Sequence, residues 1–307
     1  MGRFIVQKNT FFEGIGLRLL SVFLITAMSA VVHKVAQSVP VGQIMFWRSG
    51  FALLVICLYV MWRRDFPAGI RTKRPMLHVT RGLLGAFTMA LSFLSLAYLP
   101  VANAQAIAYL APIFTLPLAA FFLKERLTVS VIFAVGLGFG GVMFLLWDTL
   151  ELPGEGAIIG IGAALGYALT MAFVRVHTKT MTHSESSTAI AFYFALTAMV
   201  FGLCTAPFGW EAVQRDEIMY LIAAGVLGGV GHIVSNKAVA RAQVSTLAPF
   251  DFTGLIWALG FDLLFFQVFP SAFGLVGMVL ITCAAMGIVL VRAPREERNN
   301  VTRPYVK

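Results

Sequence analysis

The sequence predicts an all-α membrane protein, ten transmembrane helices built as two inverted five-helix repeats. Composition points there first: 59% of the 307 residues are hydrophobic and 12% charged, against about 25% charged in a soluble domain. Mean hydropathy is +0.85. The apolar residues are gathered into stretches of membrane-crossing length, and the second half of the chain echoes the first.

A helix needs about 20 apolar residues to cross about 30 Å of hydrocarbon. Such stretches fall at 15–35, 43–62, 76–98, 102–123, 129–147, 156–177, 187–207, 218–240, 245–266 and 271–291. They leave little chain for a soluble domain. The expected division is a cytoplasmic tail at 1–14, a first five-helix unit at 15–147, a second at 148–292 and a basic cytoplasmic tail at 293–307.

Charge threads the spans. Of the 23 lysines and arginines, all but Lys34, Arg48, Arg81 and Arg215 fall in the tails or in every second gap. They are Arg3, Lys8 and Arg18; Arg63, Arg64, Arg71, Lys73 and Arg74; Lys124 and Arg126; Arg175 and Lys179; Lys237 and Arg241; and Arg292, Arg295, Arg298, Arg303 and Lys307 at the C-terminal end. The alternate gaps carry Asp148, Glu151, Glu155, Glu211, Asp216 and Glu217. Basic loops are retained on the cytoplasmic side, so a multi-pass protein of the inner, cytoplasmic membrane is expected, with both termini inside. The formal charge of +9 is therefore read as loops facing anionic lipid, with no nucleic-acid partner.

Ala27-Met28-Ser29-Ala30 has the small-residue pattern of a signal cleavage site. Cleavage there would remove span one and invert the charge map, so the span is expected to stay. Cys57, Cys204 and Cys283 lie in different spans without metal-ligand spacing; no metal and no cofactor is expected.

The repeat appears when residues 97–147 are shifted by 143 positions. Leu99-Pro100-Val101-Ala102-Asn103 then meets Ala242-Gln243-Val244-Ser245-Thr246, and Phe121-Phe122-Leu123 meets Leu264-Phe265-Phe266. Gly14 to Val32 similarly tracks Gly156 to Val174, with a shift of 142. A unit of five spans places its second copy upside down. Lys124-Glu125-Arg126-Leu127-Thr128 accordingly matches Gln267-Val268-Phe269-Pro270-Ser271, which has lost every charge on the opposite side.

These residues carry a resemblance. Phe46-Trp47-Arg48, the run from Ala97 to Ala104, Leu110-Ala111-Pro112-Ile113-Phe114 and Leu123-Lys124-Glu125-Arg126-Leu127 resemble the drug/metabolite transporter superfamily, EamA-type branch, over about residues 14–292. The resemblance implies a ten-helix basket, a central cavity for a small-molecule substrate, termini inside and alternating access. Gln267-Val268 stands where the second copy of the family has Gly-Glu, so the role of Glu125 does not carry over to that copy. A homodimer stays open as an arrangement.

Enzymatic motifs are lacking. Gly136-x-Gly138-x-x-Gly141 matches a dinucleotide fingerprint in form, but that fingerprint needs a strand before it and a helix start after it. Inside an apolar span, close helix packing is the better account, as for Gly156/Gly160, Gly162/Gly166 and Gly225/Gly229. There is no Walker lysine, zinc-protease helix or nucleophile elbow. A membrane enzyme acting on lipid-linked substrates would need a carboxylate or histidine cluster at one headgroup plane, and here these groups are scattered in depth. A channel or structural subunit is a further alternative that saturable counterflow would exclude.

Polar residues inside spans are the remaining signal, since each is costly in hydrocarbon unless it faces protein or water. At helical spacing stand Thr88 and Ser92 with Ser95, Gln105 and Tyr109, Tyr167 and Thr170, and His232 and Asn236; Trp257 is placed to stack on a flat substrate. These are the candidate substrate-binding residues, with hydrogen bonding to their own helix as the alternative for Thr88, Ser92 and Thr170. Asp251, Asp262, Lys237, His33 and Arg48 are candidates for coupling or structural ion pairing; Asp251 lies at a depth like that of Lys237. Arg81, near a span start, is expected to snorkel to the headgroups. Pro112, Pro117 and Pro249 break backbone hydrogen bonding at membrane depth. A mostly apolar cavity with hydroxyl, amide and aromatic groups, together with similarity to bacterial riboflavin-uptake members, points to a flavin-like vitamin. Export of an amino acid or drug is the alternative.

Overall fold

A computed structural model describes residues 2–35, 38–98, 107–147, 156–257, 260 and 271–301. Among these residues run, in order, α1 (Gly2–Val35), α2 (Val41–Trp62), α3 (Pro75–Tyr98), α4 (Ala111–Leu123), α5 (Val129–Leu146), α6 (Ala157–Met181), α7 (Ser187–Leu203), α8 (Arg215–Arg241), α9 (Val244–Asp251) and α10 (Ala272–Val301). Helix α1 starts well before its span. The segments Phe11–Val32, Val41–Trp62, Ile158–Met181 and Arg215–Arg241 are each long and apolar enough to cross a bilayer, and four shorter apolar helices accompany them.

Local chemistry sets the ends. Pro40 precedes α2 and accepts from Ile44 N–H at 3.0 Å, while Ser186 caps α7 by accepting from Ala189 N–H at 2.9 Å. Helix α8 opens with a capping box between Gln214 and Glu217, and Asp216 and Glu217 complement its dipole.

The packing has the symmetry of the repeat. Helix α1 lies along α8 and α6 along α3; α2 meets α8 and α7 meets α3; α4 meets α6 and α9 meets α1. The pairs α2–α7, α4–α9 and α5–α10 complete the set. Exchanging each helix with its counterpart five places along maps this set onto itself. Every one of these contacts joins one copy to the other, so the copies interleave.

Small residues make the interleaving close, as expected where lipid removes the hydrophobic drive between helices. Ala86, Ala119, Ala168, Ala172, Ala189, Ala198 and Ala224 are fully covered. At Gly225 an added Cβ would stand 2.9 Å from Arg48 O, and at Gly141 2.8 Å from Gly277 O. Gly141 thus belongs to the α5–α10 contact and Gly138 packs against Phe252, the role expected of them, whereas Gly136 and Gly162 meet open space. Large apolar side chains point outward: Phe121 is 78% and Ile158 87% exposed. An apolar exterior around an interior of small residues is the pattern of a lipid-embedded bundle.

The loops sort to two ends. At the basic end Ser186 Oγ donates to Gly69 O at 2.8 Å, and Arg241 pairs with Glu13 at 3.1 Å. At the acidic end Gln43 Nε2 donates to Glu211 O at 2.7 Å, and Ser38 Oγ to Glu217 at 2.5 Å.

Candidate functional site

Two helices are interrupted, at matching places. Residues 107–108 are helical, 109–110 form a turn, and α4 resumes at Ala111; α9 ends at Asp251, Phe252 is a turn, and 253–257 are helical again. Tyr109 and Phe252 are equivalent under the 143-residue shift. Their rings lie 5.9 Å apart. The local axis relating the copies therefore passes between them. Pro112 and Pro249 flank the breaks, and a proline removes one backbone donor and crowds the preceding turn. Such breaks at membrane depth persist where the freed backbone groups line a cavity or face protein.

Around the breaks stand α1 and α6, also repeat equivalents. A Cβ on Gly254 would sit 3.2 Å from Tyr109 Oη and 3.3 Å from Thr26 Oγ1, so all three converge. Phe23 meets Trp257 edge to face at 5.1 Å. Tyr109 and Tyr167 lie within electrostatic reach of both Asp251 and Arg175.

Beside this junction lies a three-charge knot. Arg18 Nε donates to Asp251 Oδ1 at 2.7 Å, its Nη2 meets the same oxygen, and its Nη1 donates to Ser235 Oγ at 3.0 Å. Arg175 Nη1 pairs with Asp251 Oδ2 at 2.6 Å. Arg18 and Asp251 are each 8% exposed. The knot ties α1, α6, α8 and α9 on the basic side of the breaks. Beyond it, Glu125 accepts from Val244 N–H, Ser245 N–H (3.0 Å each) and Ser245 Oγ (2.6 Å), capping α9. Lys179 Nζ donates to Val239 O and Ala242 O, at 2.7 and 2.9 Å, closing the end of α8.

Sequence reasoning put Arg18 in the tail and Arg175 in a loop, as topology determinants. Both lie inside helices. A signal was present: each interrupts an apolar run, Gly14-Ile15-Gly16-Leu17 before Arg18 and Ala172-Phe173-Val174 before Arg175. Asp251 takes these two partners, whereas Lys237 Nζ donates to Tyr59 Oη at 2.7 Å and sits 5.0 Å over its ring.

The other sequence candidates are distributed as follows. Tyr109, Tyr167 and Asp251 gather at the junction of the broken helices, and Trp257 stands against Phe23 on α1. Thr88 is buried and donates to Leu84 O at 2.7 Å, Ser92 is half-buried with its carbonyl taken by Ser95 Oγ, and Thr170 donates to Gly166 O. Asn236 Nδ2 donates to Ser187 O at 3.2 Å. His232 and Arg48 share a different pocket, between α2, α7 and α8. Gln105 and Asp262, and the side chain of His33, lie outside the described residues. No metal-binding group of three His, Cys, Asp or Glu occurs among the described residues.

At the basic end, His78 Nε2 and the Lys73 N–H each lie 3.2 Å from Glu185. Burial pushes the Glu185 carboxyl up, but hydrogen bonds from His78, Thr72 and the Lys73 N–H outweigh it and hold the group below its ordinary value.

Two inverted five-helix copies meeting at paired broken helices define a membrane transport protein. The chain belongs to the EamA-like transporter family, within the drug/metabolite transporter superfamily, whose model matches it twice, at residues 13–147 and 158–290. It is similar to a pseudopaline exporter of Pseudomonas aeruginosa, 27% identical over 90% of this chain and 95% of that one. It is also similar to an S-adenosylmethionine uptake transporter of Rickettsia felis, 26% identical over 92% of this chain and 94% of that one. A crystal structure of another protein matches with TM-score 0.80 at 19% identity, covering 92% of this chain and 98% of that one, a likeness of fold.

Proposed function

We propose that the chain is a secondary carrier that binds a small organic metabolite in a chamber that opens between α1, α4, α6 and α9 and exposes it to each side in turn. The observation that carries this reading is the meeting of the equivalent breaks, Tyr109 against Phe252, directly beside the Arg18–Asp251–Arg175 knot. Two near-equivalent copies give two near-equivalent states, and the knot closes the basic side in one of them. Both termini and the basic loops face the cytoplasm in this reading, on the charge pattern of the loops.

Beside the fully buried Phe252, the rings of Tyr109 and Trp257 stand near ionic groups. A neutral flavin would use the first and leave the second idle. A charged metabolite such as an amino-acid derivative uses both, and relatives named for pseudopaline export and S-adenosylmethionine uptake lend nothing to the flavin reading. Counterflow in sealed vesicles tests the carrier. Loaded unlabelled solute should drive transient accumulation of labelled solute, with labelled amino acids and riboflavin as the two probes. Linear, unsaturable entry of every probe would end the carrier reading.

A further inference from the structure

Away from the chamber, two guanidiniums are buried without a carboxylate. Arg48 on α2 is 9% exposed and Arg81 on α3 is 7% exposed. The partner of Arg48 Nη1 is Met28 Sδ at 3.3 Å, and a thioether is a weak acceptor. Beside it, Ser49 Oγ is buried with no hydrogen-bond partner. Arg81 Nε donates to Thr178 Oγ1 at 3.0 Å, while its Nη1 is buried and unpartnered.

Arg81 does not reach back toward headgroups as its position near a span start predicts. Its side chain runs one turn deeper, against Gly85, where a Cβ would stand 2.5 Å from Nη1, and its guanidinium lies 4.5 Å over the Phe194 ring. Phe194 meets His232 edge to face at 4.9 Å. His232 in turn shares a cavity with Arg48, Ser49, Ile56 and Ala195. The result is a column, Arg48–His232–Phe194–Arg81, among α2, α3, α7 and α8. Among the described residues no Asp or Glu pairs with either arginine. The cavity beside Arg48 has a volume of about 10 Å³, enough for one water-sized group.

Unpaired buried charge is unfavourable unless something compensates it, and two like charges in one column make the need greater. A guanidinium fork matches a carboxylate in shape and charge. One carboxylate oxygen fits the cavity, Ser49 Oγ can donate to it, and the Met28 thioether is flexible enough to yield Nη1. We propose that this pocket is an anion subsite that takes the carboxylate of the carried metabolite, so that the substrate class is an organic anion. The owner of the carboxylate rests on the carrier reading; the binding of a carboxylate does not.

The test is thermal unfolding of the full chain in neutral detergent with benzoate or benzamide, matched in ionic strength with chloride. Benzoate should raise Tm saturably by about 2–4 °C and benzamide should not. The rise should vanish in Arg48→Gln and persist in the chamber variant Tyr109→Phe. Equal shifts for acid and amide overturn the site, as does an undiminished benzoate shift in Arg48→Gln. Stabilisation by added phosphatidylglycerol alone, with none from benzoate, assigns the pocket to a lipid headgroup and overturns it as well. The wild-type comparison stands even where a variant fails to fold. Counterflow run in parallel separates the two readings. Exchange without benzoate binding removes the subsite and keeps the carrier; benzoate binding without exchange does the reverse.

Discussion

Arg18 and Arg48 are both guanidiniums buried in the same bundle, yet they are placed under opposite conditions. Arg18 shares Asp251 with Arg175 and reaches Ser235. Arg48 has a thioether. Burial of a charge therefore carries no single meaning in this bundle. The first cluster is closed on itself and holds four helices together at the basic side of the broken pair. The second is left open, with donors facing a small cavity.

Removing one charge from each cluster should have opposite effects on stability. Asp251→Ala strands two cations at once and should cost about 3–5 kcal/mol of stability, measured as a drop in the unfolding midpoint of purified protein. Asp251→Asn should retain part of that loss. Glu125→Ala removes the acceptor shared by Val244 N–H, Ser245 N–H and Ser245 Oγ. A lost helix cap of this kind costs about 1–2 kcal/mol, and hydrogen exchange should rise first at Val244 and Ser245. Arg48→Met goes the other way: it removes a cation that has no counter-ion, and stability should hold or rise by about 1 kcal/mol. Comparable losses in Asp251→Ala and Arg48→Met would erase the distinction between the clusters.

The smallest effect is set by pH. Glu185 holds its proton less tightly in the folded state than at its ordinary value of 4.5, because His78, Thr72 and the Lys73 N–H bind the carboxylate. Its contribution is therefore complete above pH 4.5 and is lost as pH falls through the lower, folded value. Unfolding midpoints measured from pH 6 down to about pH 3 should decline in wild type, and Glu185→Gln should flatten the last part of that decline. A variant curve parallel to wild type would remove Glu185 from the account.

Much of the fold was legible because membrane spans obey few rules. Length and hydropathy marked the helices, and the odd repeat fixed the inversion that the packing set displays. The breaks in α4 and α9 were half legible: Pro112 and Pro249 announced interruption, but not that Tyr109 and Phe252 would meet. The charge knot was hidden for a specific reason. Arg18 and Arg175 lie close enough to the ends of apolar runs to pass for topology determinants, and only tertiary packing brings them to Asp251 from helices 76 or more residues away along the chain. Hydroxyls were ambiguous in principle, since Thr88 and Thr170 bond to their own helices just as a cavity-lining threonine can. Arg81 ran against expectation because an aromatic face on α7 competes with the headgroups for its guanidinium.

The most direct measurement is side-specific labelling of Tyr167→Cys in sealed vesicles, with Cys57, Cys204 and Cys283 replaced and a membrane-impermeant thiol reagent applied from one face at a time. Two alternating states predict labelling from both faces, and adding Asp251→Asn should speed labelling from the basic-end face while slowing it from the other. Labelling that speeds up equally from both faces, or occurs from one face whatever stands at position 251, would contradict the account.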